Sequence, residues 1–249
     1  MTKKSKLKWL PAAIAGLGAV CALVRWGLYL LATDHKGLLA AGHPLGLLSW
    51  ILMAAAAMLA AAAVWKLKGS NGYEENFCPS AAAAVGSFAL SGGIALAVLT
   101  NHGADSAMAR ITMVAGLLAV PALAAAGVLR WKGRKPFFLL YGIPCLYLAL
   151  YALGHYQIWS SRPQMQDWFW SMAGIICLTL FSYYQTAFCV DLGNRKLQLA
   201  TGLLAGFFCL GALRGGDFLL YLGGAVWALT NLCTVTPGIP QKEEPHETA

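Results

Sequence analysis

Charged residues are scarce in this sequence. Asp, Glu, Lys and Arg make up only 11% of it, whereas hydrophobic residues make up 59%. A soluble domain typically carries about 25% charged residues, so this chain has too little charge to cover a water-facing surface. The mean hydropathy of +0.62 agrees. The composition excludes an ordinary soluble domain and predicts an integral membrane protein whose main partner is the lipid bilayer.

Recognised reaction motifs are also missing from the sequence. It contains no GxSxG nucleophile, HExxH pair, P-loop or HxxxxD acyltransferase pair, and facing histidine pairs for haem are not evident. Its seven cysteines show no CxxC or CxH spacing, and most fall in apolar runs, which is typical of core residues. We therefore expect no metal and no cofactor, and an intramembrane enzyme is the least favoured class.

Long apolar runs are what the sequence does contain. A helix needs about 20 apolar residues to cross roughly 30 Å of hydrocarbon. Eight runs approach this length: 9–32, 45–65, 81–100, 109–130, 136–158, 168–190, 197–213 and 218–235. The last two are the shortest, and they could instead form one re-entrant feature, so seven or six spans remain possible.

These runs predict an all-α fold, a polytopic transmembrane helix bundle of about eight spans. Residues 1–236 would form one membrane domain, and the polar segment 237–249 would be a disordered cytoplasmic tail. The basic N-terminus followed by an apolar run resembles a signal sequence. That run is longer than the 7–15 residues of a signal peptide, so we interpret it as an uncleaved first span.

The distribution of basic residues predicts the orientation. With the N-terminus inside and the spans alternating, thirteen Lys and Arg fall in inner segments and four in outer loops. Cytoplasmic loops carry this excess of positive charge, which favours an N-in/C-in protein of the bacterial cytoplasmic membrane. The net charge of +8 is then a topology signal rather than a sign of nucleic-acid binding. Tryptophans near both predicted interfaces are typical of aromatic belts, and they are Trp9, Trp50, Trp65, Trp131, Trp159, Trp168 and Trp170.

Arg25 is the one ionisable residue well inside a predicted span. It shares a helix face with small residues and with Tyr29, so it should face the bundle. An intramembrane arginine needs compensation. Three alternatives are open: the side chain snorkels to the outer interface, it bonds carbonyls or stacks on Tyr147 or Tyr151, or it faces a water-filled cavity and binds an anionic ligand.

Other candidate site residues lie in the fifth and sixth spans. Tyr147, Tyr151 and His155 are spaced i, i+4, i+8 and therefore share one face. Ser182 and Gln185 lie on one face of the sixth span. These polar faces predict either the lining of a cavity or, with somewhat greater weight, simple helix-to-helix hydrogen bonding.

Histidine and aspartate at the outer ends of spans make a polar outer mouth, and each predicted outer loop carries one acid and one base, as in the pair Arg214 and Asp217. Its candidates are His43, His102 and Asp105. The two residues His102 and Asp105 come nearest to a metal-binding spacing, but no second ligand pair accompanies them. We therefore predict no metal site here, and interfacial loop residues are the favoured interpretation.

Three segments carry a family resemblance. The stretches DHKGLLAAGHPLGLLSW (34–50), YQIWSSRPQMQDW (156–168) and YLGGAVWALTNLCTV (221–235) resemble a family of polytopic bacterial membrane proteins with no assigned activity. The resemblance implies the membrane class and eight spans, and it implies no functional residue.

Two functions of different classes fit these features best. The first is a small-molecule transporter, or a membrane-embedded binding subunit, with an outward-facing polar cavity that takes a small anionic solute. The second is a non-enzymatic accessory protein that acts through a membrane-protein partner or as a homo-oligomer. A cavity open to the outside would separate the first from the second.

Overall fold

The computed structural model describes residues 9–32, 42–65, 67, 69–100, 106–159, 165–214 and 217–234, with backbone alone at 158–159 and 165–167. The candidate residues His102 and Asp105, the predicted tail 237–249 and most of the loop between the fifth and sixth spans lie outside these ranges.

Every regular element of the described part is an α-helix, as predicted. The helices are α1 (Leu10–Ala32), α2 (Pro44–Trp65), α3 (Tyr73–Asn76), α4 (Ala81–Thr100), α5 (Ala107–Trp131), α6 (Leu139–Trp159), α7 (Met165–Cys189), α8 (Arg195–Gly211) and α9 (Phe218–Cys233). Six of them, α1, α2 and α4 to α7, are long and apolar enough to cross a membrane. The multi-pass class is thus supported, while the count of eight spans stays a prediction, because α8 has 17 residues and α9 has 16.

Local chemistry explains where several helices begin. Ser106 precedes α5 and its hydroxyl accepts the Ala109 N–H at 3.1 Å. Asn194 precedes α8 and its side chain accepts two backbone N–H groups, from Lys196 and Leu197. Such caps satisfy donors that a helix leaves unpaired at its N-terminus.

The two helices α8 and α9 are separate elements. They pack as an antiparallel pair in which Gly206 faces Leu229 and Gly224 faces Cys209.

Six helices form a closed ring. Each of α4 to α9 packs against the next along the chain, and α9 returns to pack against α4. The α4–α9 contact is the closest, because a Cβ on Gly93 would lie 2.5 Å from the Leu219 carbonyl oxygen, and one on Gly223 would lie 2.5 Å from that of Ala89. Helices α1 and α2 lie outside the ring against α8.

The two ends of the bundle have different residues. The Asp217 end contains three contacts, those of Tyr151 with Asp217, of Trp50 with Trp170 and of Tyr29 with Arg214. At the Asp191 end, the segment 69–80 meets Arg130, Asp191 and Thr234. The Asp217 end corresponds to the outer side predicted from the sequence, and the Asp191 end corresponds to the inner side.

Candidate functional site

The predicted face of α6 lines the interior of the ring at the Asp217 end. Tyr147 is 1% exposed and Tyr151 is 3% exposed. The Tyr147 and Tyr151 ring centroids lie 6.0 Å apart, and those of Tyr151 and His155 lie 4.0 Å apart. The His155 side chain is 21% exposed, so this stripe runs from the buried core towards the surface. Its role in ligand binding stays a prediction.

Asp217 is the acidic partner of this stripe. The Tyr151 hydroxyl donates a hydrogen bond to Asp217 Oδ2, and His155 Nε2 lies 3.9 Å from the same oxygen. Our expectation that Asp217 lies at the outer surface is therefore only partly right, because its side chain is just 15% exposed. The reason is that α9 begins at the next residue, and ring closure brings that end of α9 against α6.

Tyr221 extends the polar group one helical turn deeper. Its side chain is 1% exposed and lies near Ser171, Tyr147 and Asp217. Among the described residues its hydroxyl finds no well-aligned hydrogen-bond partner. A buried hydroxyl without a partner is costly, so Tyr221 is a natural contact for water or a bound molecule. We did not select it from the sequence, although its i+4 spacing from Asp217 was a usable signal.

Arg25 faces the bundle, as predicted, and is 5% exposed. Its guanidinium lies over the Trp170 ring, with Cζ 4.8 Å from the ring centroid. The ring contact is thus to Trp170, whereas our sequence analysis suggested Tyr147 or Tyr151. A cation over an indole face is the strongest of the cation–π pairs, and this contact offsets part of the cost of burying the charge.

The placement of Trp170 in an outer aromatic belt was wrong. Its side chain is 1% exposed and packs against Trp50, Phe207 and Phe208. Gly211 makes this possible, because a Cβ there would lie 2.8 Å from the indole. The large ring fills the space that the glycine leaves between α7 and α8.

A second arginine–aromatic contact lies nearby. The Arg214 guanidinium lies over the Tyr29 ring, with Cζ 3.2 Å from its centroid. Arg214 follows α8 and is exposed, while Tyr29 is half-buried. Tyr29 therefore lies at the Asp217 end with Arg214, a residue that we had counted only as an outer-loop charge. Its role in ligand binding stays a prediction.

Ser182 and Gln185 do not belong to this group. The Ser182 hydroxyl donates to the Tyr141 carbonyl oxygen at 3.1 Å, so it lies level with Tyr141, six residues or about 9 Å below Tyr147 along α6. Gln185 lies nearer still to the Asp191 end. The interpretation of Ser182 as a helix-to-helix hydrogen bond is the one that this geometry supports.

The outer-mouth histidine His43 has a local structural contact. Its Nδ1 accepts the Leu45 N–H at 3.3 Å, and its carbonyl oxygen accepts from Gly46 at 2.9 Å. These contacts fix the start of α2. In the part of the chain that the structure describes, no three His, Cys, Asp or Glu residues come close enough together to hold a metal ion.

No protein-family model, curated protein or solved structure matches this chain.

Proposed function

We propose that the protein is a plasma-membrane protein with eight spans and both termini in the cytoplasm, which binds a small anionic solute at the Asp217 end. It would act as a transporter or as the binding subunit of one. The Asp217 end supports this proposal: a carboxylate in contact with Tyr151 and His155 lies at the same end of the bundle as two guanidinium–aromatic contacts.

The eight-span topology is supported by the way in which the short helices pack. Both α8 and α9 are part of the ring, each between neighbours that include long apolar helices. Their lengths of about 25 Å and 24 Å approach the 30 Å hydrocarbon core. The Asp191 end also carries the exposed basic residues Lys132, Arg134 and Lys135, as a cytoplasmic face should.

Cysteine labelling in whole cells tests this topology. In a background with the exposed Cys78 and Cys233 replaced by serine, a cysteine at position 162 should react with an impermeant thiol reagent. A cysteine at position 70 should react only after the membrane is made permeable, because it lies on the cytoplasmic side. Reaction at position 70 but not at position 162 in intact cells would contradict the proposed orientation.

The charges of the Asp217 end favour an anionic solute. Among the described residues this group contains two guanidinium groups, Arg25 and Arg214, and one carboxylate, Asp217. Tyr151 and His155 already interact with that carboxylate. Guanidinium groups suit an acid group, and the surrounding aromatic rings lower the local polarity, which strengthens that attraction.

The buried hydroxyls supply the remaining contacts. The Tyr221 hydroxyl lies beside the Ser171 hydroxyl, and the two together can bond a ligand oxygen. Trp170 and Ser171 are consecutive in α7, so they link the Arg25 contact with the tyrosine group. A solute whose carboxylate lies next to Arg25 could therefore place its other polar groups against Ser171 and Tyr221. A small hydroxylated or dicarboxylic acid has such groups.

The fluorescence of Trp170 provides a direct binding test. A solute that approaches Arg25 must alter the environment of the indole beneath the guanidinium. Titration of purified protein with acetate, succinate and citrate should therefore change the tryptophan emission, and the change should be absent in Trp170→Phe. If no acid produces a Trp170-dependent change, solute binding at this end is refuted.

Arg25→Lys should weaken binding about tenfold while leaving folding intact. Lysine keeps the charge but loses the planar guanidinium that suits both a carboxylate and an indole face. Arg110→Lys is the matched control, because Arg110 is exposed in the first turn of α5. This variant should leave the affinity unchanged. Equal affinity in the two variants would make Arg25 structural.

The accessory role is the second candidate, and α2 is the feature that favours it. This helix lies outside the ring, and only Ser49, Ala56, Ala60 and Ala63 are buried along its length. Its outer face is free for lipid, for a partner protein or for a second copy of the chain. If the acids fail to bind and the purified protein is a dimer that crosslinks through α2, the accessory role replaces the transport role.

A further inference from the structure

A buried arginine at the Asp191 end has no role in the proposed solute site. Arg130 lies in the last turn of α5 and is 1% exposed. Its guanidinium lies over the Phe77 ring, with Cζ 4.4 Å from the centroid, and its Nη2 donates to Thr234 Oγ1 at 2.9 Å. From the sequence we counted Arg130 only as one of the inner basic residues that set the topology.

The acid Asp191, at the same end of the bundle, is already engaged elsewhere. Asp191 Oδ2 pairs with Lys135, and Oδ1 accepts the Tyr73 N–H at 3.0 Å. These bonds, that of Lys135 first, lower the pKa of the Asp191 carboxyl below its usual value, so it stays ionised on these partners. Among the described residues, Arg130 has no ion pair, and its Nε and Nη1 atoms have no well-aligned hydrogen-bond acceptor, although the Tyr73 and Tyr141 hydroxyls lie close to the guanidinium.

Further polar groups around this arginine lack partners too. The Tyr141 hydroxyl lies within electrostatic reach of the guanidinium and is fully buried, yet it makes no well-aligned hydrogen bond in the described structure. Thr234 donates to the Asn231 carbonyl oxygen at 2.7 Å, and the side-chain oxygen of Asn231 is buried and unpaired within the same described part. The Arg130 guanidinium on α5 and the Tyr141 hydroxyl on α6 thus lie near the Asn231 and Thr234 side chains at the end of α9.

A buried cation without a counter-charge is unstable, because desolvation costs more than one neutral hydrogen bond and one ring contact return. An oxyanion resolves this imbalance, since it can accept from the arginine nitrogens and from the tyrosine hydroxyl together. We propose that Arg130 and Tyr141, beside Thr234, form a second site, which binds a phosphate group. This proposal is independent of the proposed solute site at the Asp217 end.

The position of Arg130 along its helix favours phosphate over other oxyanions. The residue is one helical position from the end of an apolar 25-residue helix, which is the depth at which lipid phosphates lie next to a membrane helix. Two sources share this chemistry: a phospholipid headgroup inserted between helix ends, and free phosphate or a small phosphorylated molecule from the aqueous side.

A described segment covers this site. Tyr73 and Phe77, both buried, lie on the segment 69–80, and Phe77 covers one face of the guanidinium. Asp191 holds this segment through the Tyr73 N–H bond, and its own left-handed backbone, with φ of 58°, directs that contact. The cover leaves the edges of the guanidinium, rather than this face, for an incoming phosphate.

Thermal unfolding of the full chain in detergent tests the proposal. Inorganic phosphate and, separately, phosphatidylglycerol in mixed micelles are the two probes, with phosphatidylcholine as the zwitterionic control. At a ligand concentration 100-fold above Kd, the midpoint of wild-type unfolding should rise by at least about 5 °C. A rise with inorganic phosphate assigns a free phosphate, and a rise with phosphatidylglycerol alone assigns a headgroup.

Two variants show whether Arg130 is responsible. In Arg130→Gln the ligand-induced rise should disappear, whereas in Arg134→Gln, an exposed arginine at the same end, it should persist. Should Arg130→Gln fail to fold, Tyr141→Phe removes one donor without changing the packing and should weaken binding about fivefold to tenfold. Phosphorus analysis and native mass spectrometry of the purified wild-type protein test directly for bound phosphate and need no variant.

Three outcomes would overturn the proposal. One is the absence of bound phosphorus in the wild type together with no rise from either probe. Another is an equal loss of the rise in Arg134→Gln, which would show unspecific charge. The third is a destabilisation by Glu243→Gln, Glu244→Gln and Glu247→Gln together that matches Arg130→Gln, which would assign the site to carboxylates of the chain's own C-terminal segment.

Discussion

Gly93→Leu should abolish the folded protein, or lower its free energy of unfolding by at least about 3 kcal/mol. A Cβ at this position would lie 2.5 Å from the Leu219 carbonyl oxygen and 2.9 Å from Leu220 Cα. Both neighbours are backbone atoms of α9, so no side-chain rotation can relieve the clash. Helices α4 and α9 close the ring, and their separation would displace Asp217 from Tyr151.

The neighbouring glycine provides a matched control. A Cβ on Gly92 meets nothing within 4 Å, and leucine is the better helix former by somewhat under 1 kcal/mol. Gly92→Leu should therefore leave the unfolding midpoint unchanged or raise it. Size-exclusion chromatography and thermal unfolding in detergent measure both variants. If Gly92→Leu and Gly93→Leu unfold alike, the close α4–α9 contact is wrong.

Hydropathy predicted the helices because a span must be apolar along its whole length. The predicted run 81–100 matches α4 (Ala81–Thr100), and the Ser80 hydroxyl before it accepts the Ala83 N–H at 3.4 Å. The partner of each helix could not be predicted in the same way. Gly92 and Gly93 are identical residues on one helix, and only the position of α9 makes one of them indispensable to packing.

The candidate site was predictable where one helix determines it. Tyr147, Tyr151 and His155 share a face because of the helical period alone, and the first two are indeed buried. Asp217 and Tyr221 meet them only through ring closure, across a sequence separation of more than 60 residues. No local pattern carries that information, so we placed Asp217 with the outer loops.

The buried arginines show the same limit. Arg25 stands out in the sequence, because it interrupts an apolar run and therefore must face the bundle. Arg130 follows an apolar run in the same way as a topology-setting basic residue would, and its burial depends on the segment 69–80 folding back over it. Hydropathy cannot distinguish a basic residue at a helix end that meets water from one that is covered.

Asp217→Ala should cost about 2 kcal/mol of unfolding free energy, because it leaves the nearly buried Tyr151 hydroxyl without its acceptor. Tyr151→Phe should cost less, about 1 kcal/mol, since the carboxylate is partly exposed and water can replace the lost donor. The double variant should cost little more than Asp217→Ala alone. The two effects would then be non-additive, with a coupling of about 1 kcal/mol.

A thermodynamic cycle of these variants, measured by thermal unfolding in one detergent, gives the coupling directly. Tyr156→Phe is the control for the tyrosine change, because Tyr156 lies on the same helix and is 52% exposed. It should have no coupling with Asp217→Ala. Additive effects of Asp217→Ala and Tyr151→Phe would mean that the carboxylate and the tyrosine do not meet. The α6–α9 contact would then fail, and with it the proposed solute site, while the Arg130 phosphate site would be untouched.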